Sequence, residues 1–352
     1  MKVKIEIPVS SVSDISTHYI TIDKEMPLFP LFTIGKDSYI IDADIYMNVK
    51  PEFHEGFSCT NLHIGRFCSI SQNVLFHMGN GHNYKCVAMG VTELLANAPL
   101  KDVQSNNNKG SIIIQNDVWI GNGVTIMSGV TVHNGAVIAA NAHVVRDVPP
   151  YAIVGGNPAQ IIGYRFKPDI IEQLLTIQWW YWSDEKIREN AIYFSEDVER
   201  FCHVFYAEAL ERLETLLADN RLAVLKDTER IRYLLIPDFD STYAAYIWVI
   251  NQFLENYSKK QGQLLIVYIT RRQMAEHAEL IEEINKIICL CQQKQITGIK
   301  IVTEEECSLY GIFKNVTHYI MTRDTDTVRY TCIADYCGVN CISGVDKPVF
   351  RI

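Results

Sequence analysis

The stretch IIIQNDVWIGNGVTIMSGVTVHNGAVIAANAHVV, residues 112–145, carries an aliphatic residue at every sixth position and has no helical period. Ile114, Ile120, Ile126, Val132, Ile138 and Val144 form one series. The residues four further on, Val118, Val124, Val130, Ala136, Ala142 and Val148, form a second. In a chain that is 48% hydrophobic, an unbroken apolar run in one fixed register has a chance of about 10⁻⁴. The residue before each member of the second series is Asp117, Gly123, Gly129, Gly135, Asn141 or Asp147, all types that tolerate the positive φ of a tight turn. The pattern therefore predicts short strands separated by corners. Such strands bury their inward aliphatics by coiling and stacking, as a parallel β-helix. Each buried Ile or Val contributes roughly 1.5–3 kcal/mol, so one coil is unstable alone and several must stack.

Earlier fragments keep the spacing: Ile34 and Ile40, then Ile64, Ile70 and Phe76, with Cys68 and Val74 in the small second position. The phase is lost between Phe76 and Ile112, which predicts a loop over 77–111 projecting from the solenoid. Long loops on rigid scaffolds tend to carry function. After the hexads the pattern turns helical, with Ile171, Leu174, Leu175 and Gln178 to Trp182 on one face. From about Arg230 strands and helices alternate, which predicts a small α/β Rossmann-like domain with a parallel sheet. It has no G-x-G-x-x-G or Walker loop, so its chemistry is not readable. The expected division is 1–194 for the solenoid with its loop and terminal helix, 195–229 for a helical linker, and 230–352 for the α/β domain. A chain of 352 residues suits such a split.

The formal net charge of −9 argues against general affinity for nucleic acid. No stretch is long and apolar enough to span a membrane, and the expected location is cytoplasmic. The ten cysteines show no C-x-x-C frame and read mostly as buried, reduced thiols.

The hexads with NDVWIGNGVTI, the segment GAVIAANAHVVRDVPPYAIVGGNPAQIIGYRF and the helix LLTIQWWYW resemble the hexapeptide-repeat acyltransferases, and within them the xenobiotic acetyltransferase subgroup. The resemblance covers roughly residues 30–194. It implies a left-handed β-helix, a homotrimer, acetyl-CoA bound in the groove between neighbouring subunits, and acetyl transfer to a hydroxyl or amine without a metal. In the loop, HMGNGHNYK, the resemblance makes His82 the catalytic base, with His77 ranked second because the spacing is tighter than the usual Asn-Gly-x-x-His. An imidazole with pKa near ~6.5 can take the acceptor's proton at neutral pH, a contribution of ~10²–10⁴-fold. The resemblance also implies contacts to the acetyl donor from Trp119, Gly121, Ala139, Ala140, Asn157, Pro158 and Arg165. Gln160 stands where the family commonly has Lys or Arg, so Arg165 and Lys167 are the candidate substitutes. The cluster from Trp179 to Trp182 reads as an anchor for the terminal helix.

The expected activity is acetyl-CoA-dependent transfer to a hydroxyl of a sugar or polysaccharide precursor. The alternatives are N-acetylation of an amino-sugar nucleotide and O-acetylation of an antibiotic. From other classes come a γ-carbonic-anhydrase-like metal lyase, suggested by the five-residue spacing of His77 and His82 with His54 or His63 as a third ligand, and a trimeric scaffold for an active α/β domain.

Overall fold

The computed structural model describes residues 2–9, 12–13, 16–23, 26–46, 61–78, 87, 109–195, 197–218, 231–241, 244–257, 262–293 and 298–343. The hexads build a solenoid with three flat faces. Face one stacks in parallel Tyr39–Ile40, Ser69–Ile70, Trp119–Ile120, Val137–Ile138 and Ala152–Gly155. Face two stacks the end of Tyr39–Tyr46 with Val74–His77, Thr125–Met127 and His143–Val144. Face three stacks Met26–Ile34, Leu62–Ile64, Ile112–Ile114 and Thr131–Val132, with a bridge to Val148.

Every member of both apolar series points inward and is no more than 2% exposed. The corners are where the sequence pattern expects them. Corner one, between faces three and one, is a column of left-handed residues: Asp37, Phe67, Asp117, Gly135 and Tyr151. Corner two, between faces one and two, holds Asn73, Gly123 and Asn141 in the same conformation. Gly129 turns the corner between faces two and three, but Asp147 lacks the positive φ expected of it. Its carboxylate accepts the N–H of Thr131 instead, at 2.7 Å, so a side chain does there what backbone does elsewhere.

Three strands that the hexad pattern does not reveal close the ends, one of them Ser16–Asp23, antiparallel to Met26–Ile34 on face three. Lys2–Ile7 pairs antiparallel with Tyr39–Tyr46 at the first rung, and Gln160–Tyr164 pairs antiparallel with Ala152–Gly155 at the last. Each covers backbone donors and acceptors that a bare end would offer to another chain.

The terminal helical segment runs along corner one. Helix α1 (Pro168–Ile177) stops because Gln178 takes a left-handed conformation (φ 51°), so the expected continuation through Trp182 is a 3₁₀ turn over Trp179–Tyr181. After α2 (Asp184–Glu189), helix α3 (Val198–Leu217) starts with Asp197 accepting the Arg200 N–H. The segment expected to be a linker is largely this helix, and it belongs to two cores. Phe201, Cys202, Phe205 and Ala209 pack with α1, whereas Leu213 joins the core of the C-terminal domain.

That domain is a five-stranded parallel sheet in the order Ile299–Thr303, Gln263–Ile269, Ile231–Leu235, His318–Met321, Asn340–Ser343. Helices α4 (Tyr246–Tyr257), α5 (Arg271–Glu276) and α6 (Ala278–Gln293) follow the first two strands in sequence, and α4 and α6 line one side of the sheet. Helices α7 (Leu309–Lys314) and α8 (Thr327–Cys337), with the end of α3, line the other. The last helix and strand were not legible in the sequence, because Thr327–Cys337 is only weakly amphipathic and Gly338 follows it directly. Helix α8 docks on face three of the solenoid. Gln115 Nε2 donates to Asp335 at 2.5 Å, and Asn116 and Asn134 amides lie 3.6 Å from Cys332 Sγ. The outward residues Thr33, His63 and Ile113 of that face are consequently 1% exposed.

Candidate functional site

Corner two presents a ledge of small residues. A Cβ on Gly121 would lie 2.8 Å from the backbone N of Ala140 and 3.0 Å from the Ile138 carbonyl, so only glycine lets the next rung approach that closely. Gly121 donates its N–H to Ile138, and Asn141 donates to Asn122, both at 2.8 Å. Above Ala139, whose N–H reaches Val154 at 2.8 Å, a Cβ on Gly155 would stand 3.3 Å from the Ala139 methyl. The chain then bends through a cis Asn157–Pro158 peptide. This bend is tied to face two by His143 N–H to Gly156 (2.9 Å) and Ala159 N–H to His143 (2.8 Å). Asn157 and Pro158 are exposed, as are Ala140 and Asn141. Trp119 points outward on face one two residues before Gly121, 57% exposed, between Ser69 and Val137 in register.

Six of the seven residues expected at the donor site thus share corner two and the adjoining part of face one. Arg165 does not. It lies at corner one, across face one, where Nη1 donates to Asp117 Oδ2 at 2.8 Å and to the Gly135 carbonyl at 2.9 Å. Its guanidinium also sits 5.2 Å from the ring centroids of both Tyr151 and Phe166. Burial pushes the Asp117 carboxyl up, and the Arg165 charge pulls against that shift. Lys167, beside α1, pairs at 3.5 Å with Glu199, both highly exposed. Gln160 is exposed at the start of the closing strand.

His77 ends a strand of face two, between Tyr46 and Met127 in register, with its ring centroid 5.2 Å from that of Tyr46. Its Nδ1 is buried without a hydrogen-bond partner among the described residues. Burial, and then the nearby His143, hold its pKa below the ordinary histidine value. His82 lies outside the described residues, as do His54 and most of the loop over 77–111.

The metal-lyase alternative fares poorly on His63. That ring lies on face three, not with His77 on face two, and it is buried under the C-terminal domain with Nδ1 2.9 Å from the Thr33 hydroxyl. Burial, reinforced by Arg323, lowers its pKa to about 4.

Sequence reasoning missed the aromatic members of corner one. Phe67 and Tyr151 adopt φ of 58° and 55°, a conformation unfavourable for bulky side chains. Packing offsets the strain: the rings of Phe67 and Trp179 meet tilted at 4.8 Å between centroids, and those of Tyr151 and Phe166 at 5.6 Å. A signal was present for Phe67, which precedes the small second-position residue Cys68 in hexad phase; Ala152, after Tyr151, falls out of that phase and meets Ala136 only through the strand register. Trp180 and Trp182 are buried, and Trp182 and Trp179 pack in the core formed by α1 and α3, so the cluster anchors the helical segment.

A family model described as Bacterial transferase hexapeptide (six repeats) matches residues 111–146. A probable macrolide acetyltransferase of Lysinibacillus sphaericus is 42% identical over 152 residues, covering 40% of this chain and 79% of that protein. A chloramphenicol acetyltransferase of Agrobacterium fabrum is 39% identical over 180 residues, covering 48% of this chain and 84% of the relative. Among solved structures, a hexapeptide-repeat acetyltransferase of Vibrio cholerae in complex with acetyl coenzyme A is 26% identical. It covers 39% of this chain and 62% of its own, with a TM-score of 0.28. The relatives imply a left-handed coil for the solenoid. With its unbroken hexads, its column of corners and a relative matched over most of its length, the chain belongs to the hexapeptide-repeat xenobiotic acetyltransferases.

Proposed function

We propose that this enzyme transfers acetyl from acetyl-CoA to a hydroxyl of a sugar or polysaccharide precursor, as a homotrimer, with His82 as general base. The observation that carries the reading is the bare ledge at corner two. There Gly121, Ala139 and Ala140 leave room for a thin pantetheine arm beside the exposed ring of Trp119. An imidazole at the mouth of that ledge accepts the acceptor's proton while the oxygen bonds to the thioester carbonyl carbon. The C–S bond then breaks, and the imidazolium returns the proton to the departing sulfur. Backbone N–H groups near the ledge hold the oxyanion meanwhile. His77, on face two and with its pKa held below the ordinary histidine value by burial, is the second candidate for that base.

The sugar acceptor is favoured by the α/β domain. Less than half of this chain is matched by its relatives, and a domain fixed to face three suits a protein built into glycan assembly. A second reading, O-acetylation of an antibiotic, is favoured by the macrolide and chloramphenicol names of those relatives.

The test is CoA release from acetyl-CoA with a panel of sugar, amino-sugar-nucleotide and antibiotic acceptors. His82→Ala is expected to lower kcat by ~10²–10⁴-fold. His77→Ala is expected to lower it less. Turnover with antibiotics alone would replace the sugar reading by the second, and an unimpaired His82→Ala enzyme would remove that residue from the mechanism.

A further inference from the structure

Corner one carries a cleft of about 550 Å³ between the solenoid and the helical segment, at the opposite edge of face one from the ledge at corner two. Its floor is the Arg165–Asp117 ion pair together with Tyr151, and its wall is aromatic, including Phe166, Trp179, Tyr193 and Phe194. The volume is that of a small-molecule site. The floor is built. Tyr151 is 1% exposed, yet among the described residues its hydroxyl has no hydrogen-bond partner. A buried hydroxyl left in this state is costly, and nearly all such groups in folded proteins find a partner. The Arg165 and Asp117 side chains remain 30% and 23% exposed, and both residues line the cleft. The wall is open as well: Phe194 is 39% exposed and stands edge-on to Trp179, with ring centroids 5.2 Å apart.

The chemistry of this lining selects its ligand. The floor offers a donor-only guanidinium, an acceptor-only carboxylate and a phenol that can do both. An anion is disfavoured by Asp117 and a cation by Arg165. A neutral hydroxyl, donor and acceptor at once, satisfies all three groups. The aromatic wall asks for an apolar face, which the C–H groups of a pyranose ring supply while its hydroxyls project from the edge. We propose that the corner-one cleft is a carbohydrate-binding subsite, separate from the acetyl-transfer ledge, that takes a neutral sugar ring on its aromatic wall and ties its hydroxyls to Tyr151, Asp117 and Arg165. Binding here needs no acetyl donor, so it stands or falls independently of the transfer reaction.

The test is a titration of the full chain, without acetyl-CoA, by tryptophan fluorescence and saturation-transfer NMR. The probes are glucose, galactose, N-acetylglucosamine and maltotriose, with p-nitrobenzyl alcohol as a neutral aromatic control. At least one saccharide is expected to bind, and Tyr151→Phe is expected to weaken it about three- to tenfold, the loss of one hydrogen bond. The same variant is expected to leave Tm unchanged or raise it, because in the free protein it removes an unsatisfied group. A purely structural hydroxyl would lower Tm instead. Phe194→Leu, which keeps apolar bulk against Trp179, Trp182 and Phe201, is expected to weaken saccharide binding while leaving both the fold and acetyl transfer to a small acceptor intact. Binding by none of the saccharides would overturn the proposal. So would saccharide binding indifferent to both variants, or preferential binding of p-nitrobenzyl alcohol.

Discussion

Corners one and two share a backbone, the same left-handed residue repeated rung after rung, and yet one carries the helical segment and the other is bare. At corner one the positions are taken by Phe67, Asp117 and Tyr151, whose side chains grip Trp179, Arg165 and Phe166. At corner two they are taken by Asn73, Gly123 and Asn141, and the flanking positions by Gly121, Ala139 and Ala140. The solenoid thus separates two tasks that a compact core would mix. Backbone stacking provides the rigid frame at both corners, and side-chain size and charge decide which edge binds the helical segment and which stays open.

Substitutions at matched corners break or sharpen this comparison. The largest effect is expected for Gly135→Ala at corner one. Its Cβ would fall 2.3 Å from the Tyr151 ring, which Phe166 and Arg165 pin in place, and the φ of +70° adds left-handed strain. Together, overpacking and strain should cost about 3–5 kcal/mol in denaturant unfolding. Arg165→Ala comes next, at about 2–4 kcal/mol, because it strands a partly buried Asp117 carboxylate. Adding Asp117→Asn should recover part of that loss, and a double variant no more stable than the single would show that the charge is not the cause.

Gly123→Ala, the corner-two counterpart of Gly135→Ala, should cost less, about 1–2 kcal/mol. Its Cβ meets only the end of the Asn141 side chain, at 2.5 Å, and that side chain is exposed and can swing aside. Equal losses at Gly123 and Gly135 would erase the distinction between the corners.

The smallest effect concerns the joint between face three and α8. Burial alone would lower the pKa of His133, but Asp335, 3.4 Å from its Nε2, and the Val148 carbonyl outweigh it, and the value is raised above the ordinary 6.5. A raised folded-state pKa stabilises the protein fully below the unfolded value, about pH 6.5. That contribution is lost as pH rises through the higher folded value. Because Asp335 is more than a third exposed, solvent screening limits the effect to about 0.5–1 kcal/mol. Asp335→Asn should flatten the corresponding slope in Tm between pH 6 and 8, and an unchanged slope would detach His133 from the joint.

The parts of the molecule differ in how far they could be read in advance. The inward rows were legible to the residue, because a period of six leaves one way to bury them, and the corners followed from Gly, Asn and Asp in phase. The closing strands were not, since an antiparallel strand at a solenoid end obeys no hexad and is defined only by the edge it covers. Of the residues expected at the donor site, Trp119, Gly121, Ala139, Ala140, Asn157 and Pro158 come together because they occupy neighbouring rungs. Arg165 separates from them because a strand of face one lies between its corner and theirs. Nothing in the spacing distinguishes the two corners.

By itself the amino-acid sequence determined the solenoid, its inward aliphatics and most of its turns, because each is a local consequence of repeat length and residue type. Only the tertiary structure decided that α8 buries face three, that α3 serves two cores, and that Tyr151 and Arg165 line a cleft at corner one. Those contacts join residues far apart in the chain, where shape and unpaired polar groups, not periodicity, select the partner.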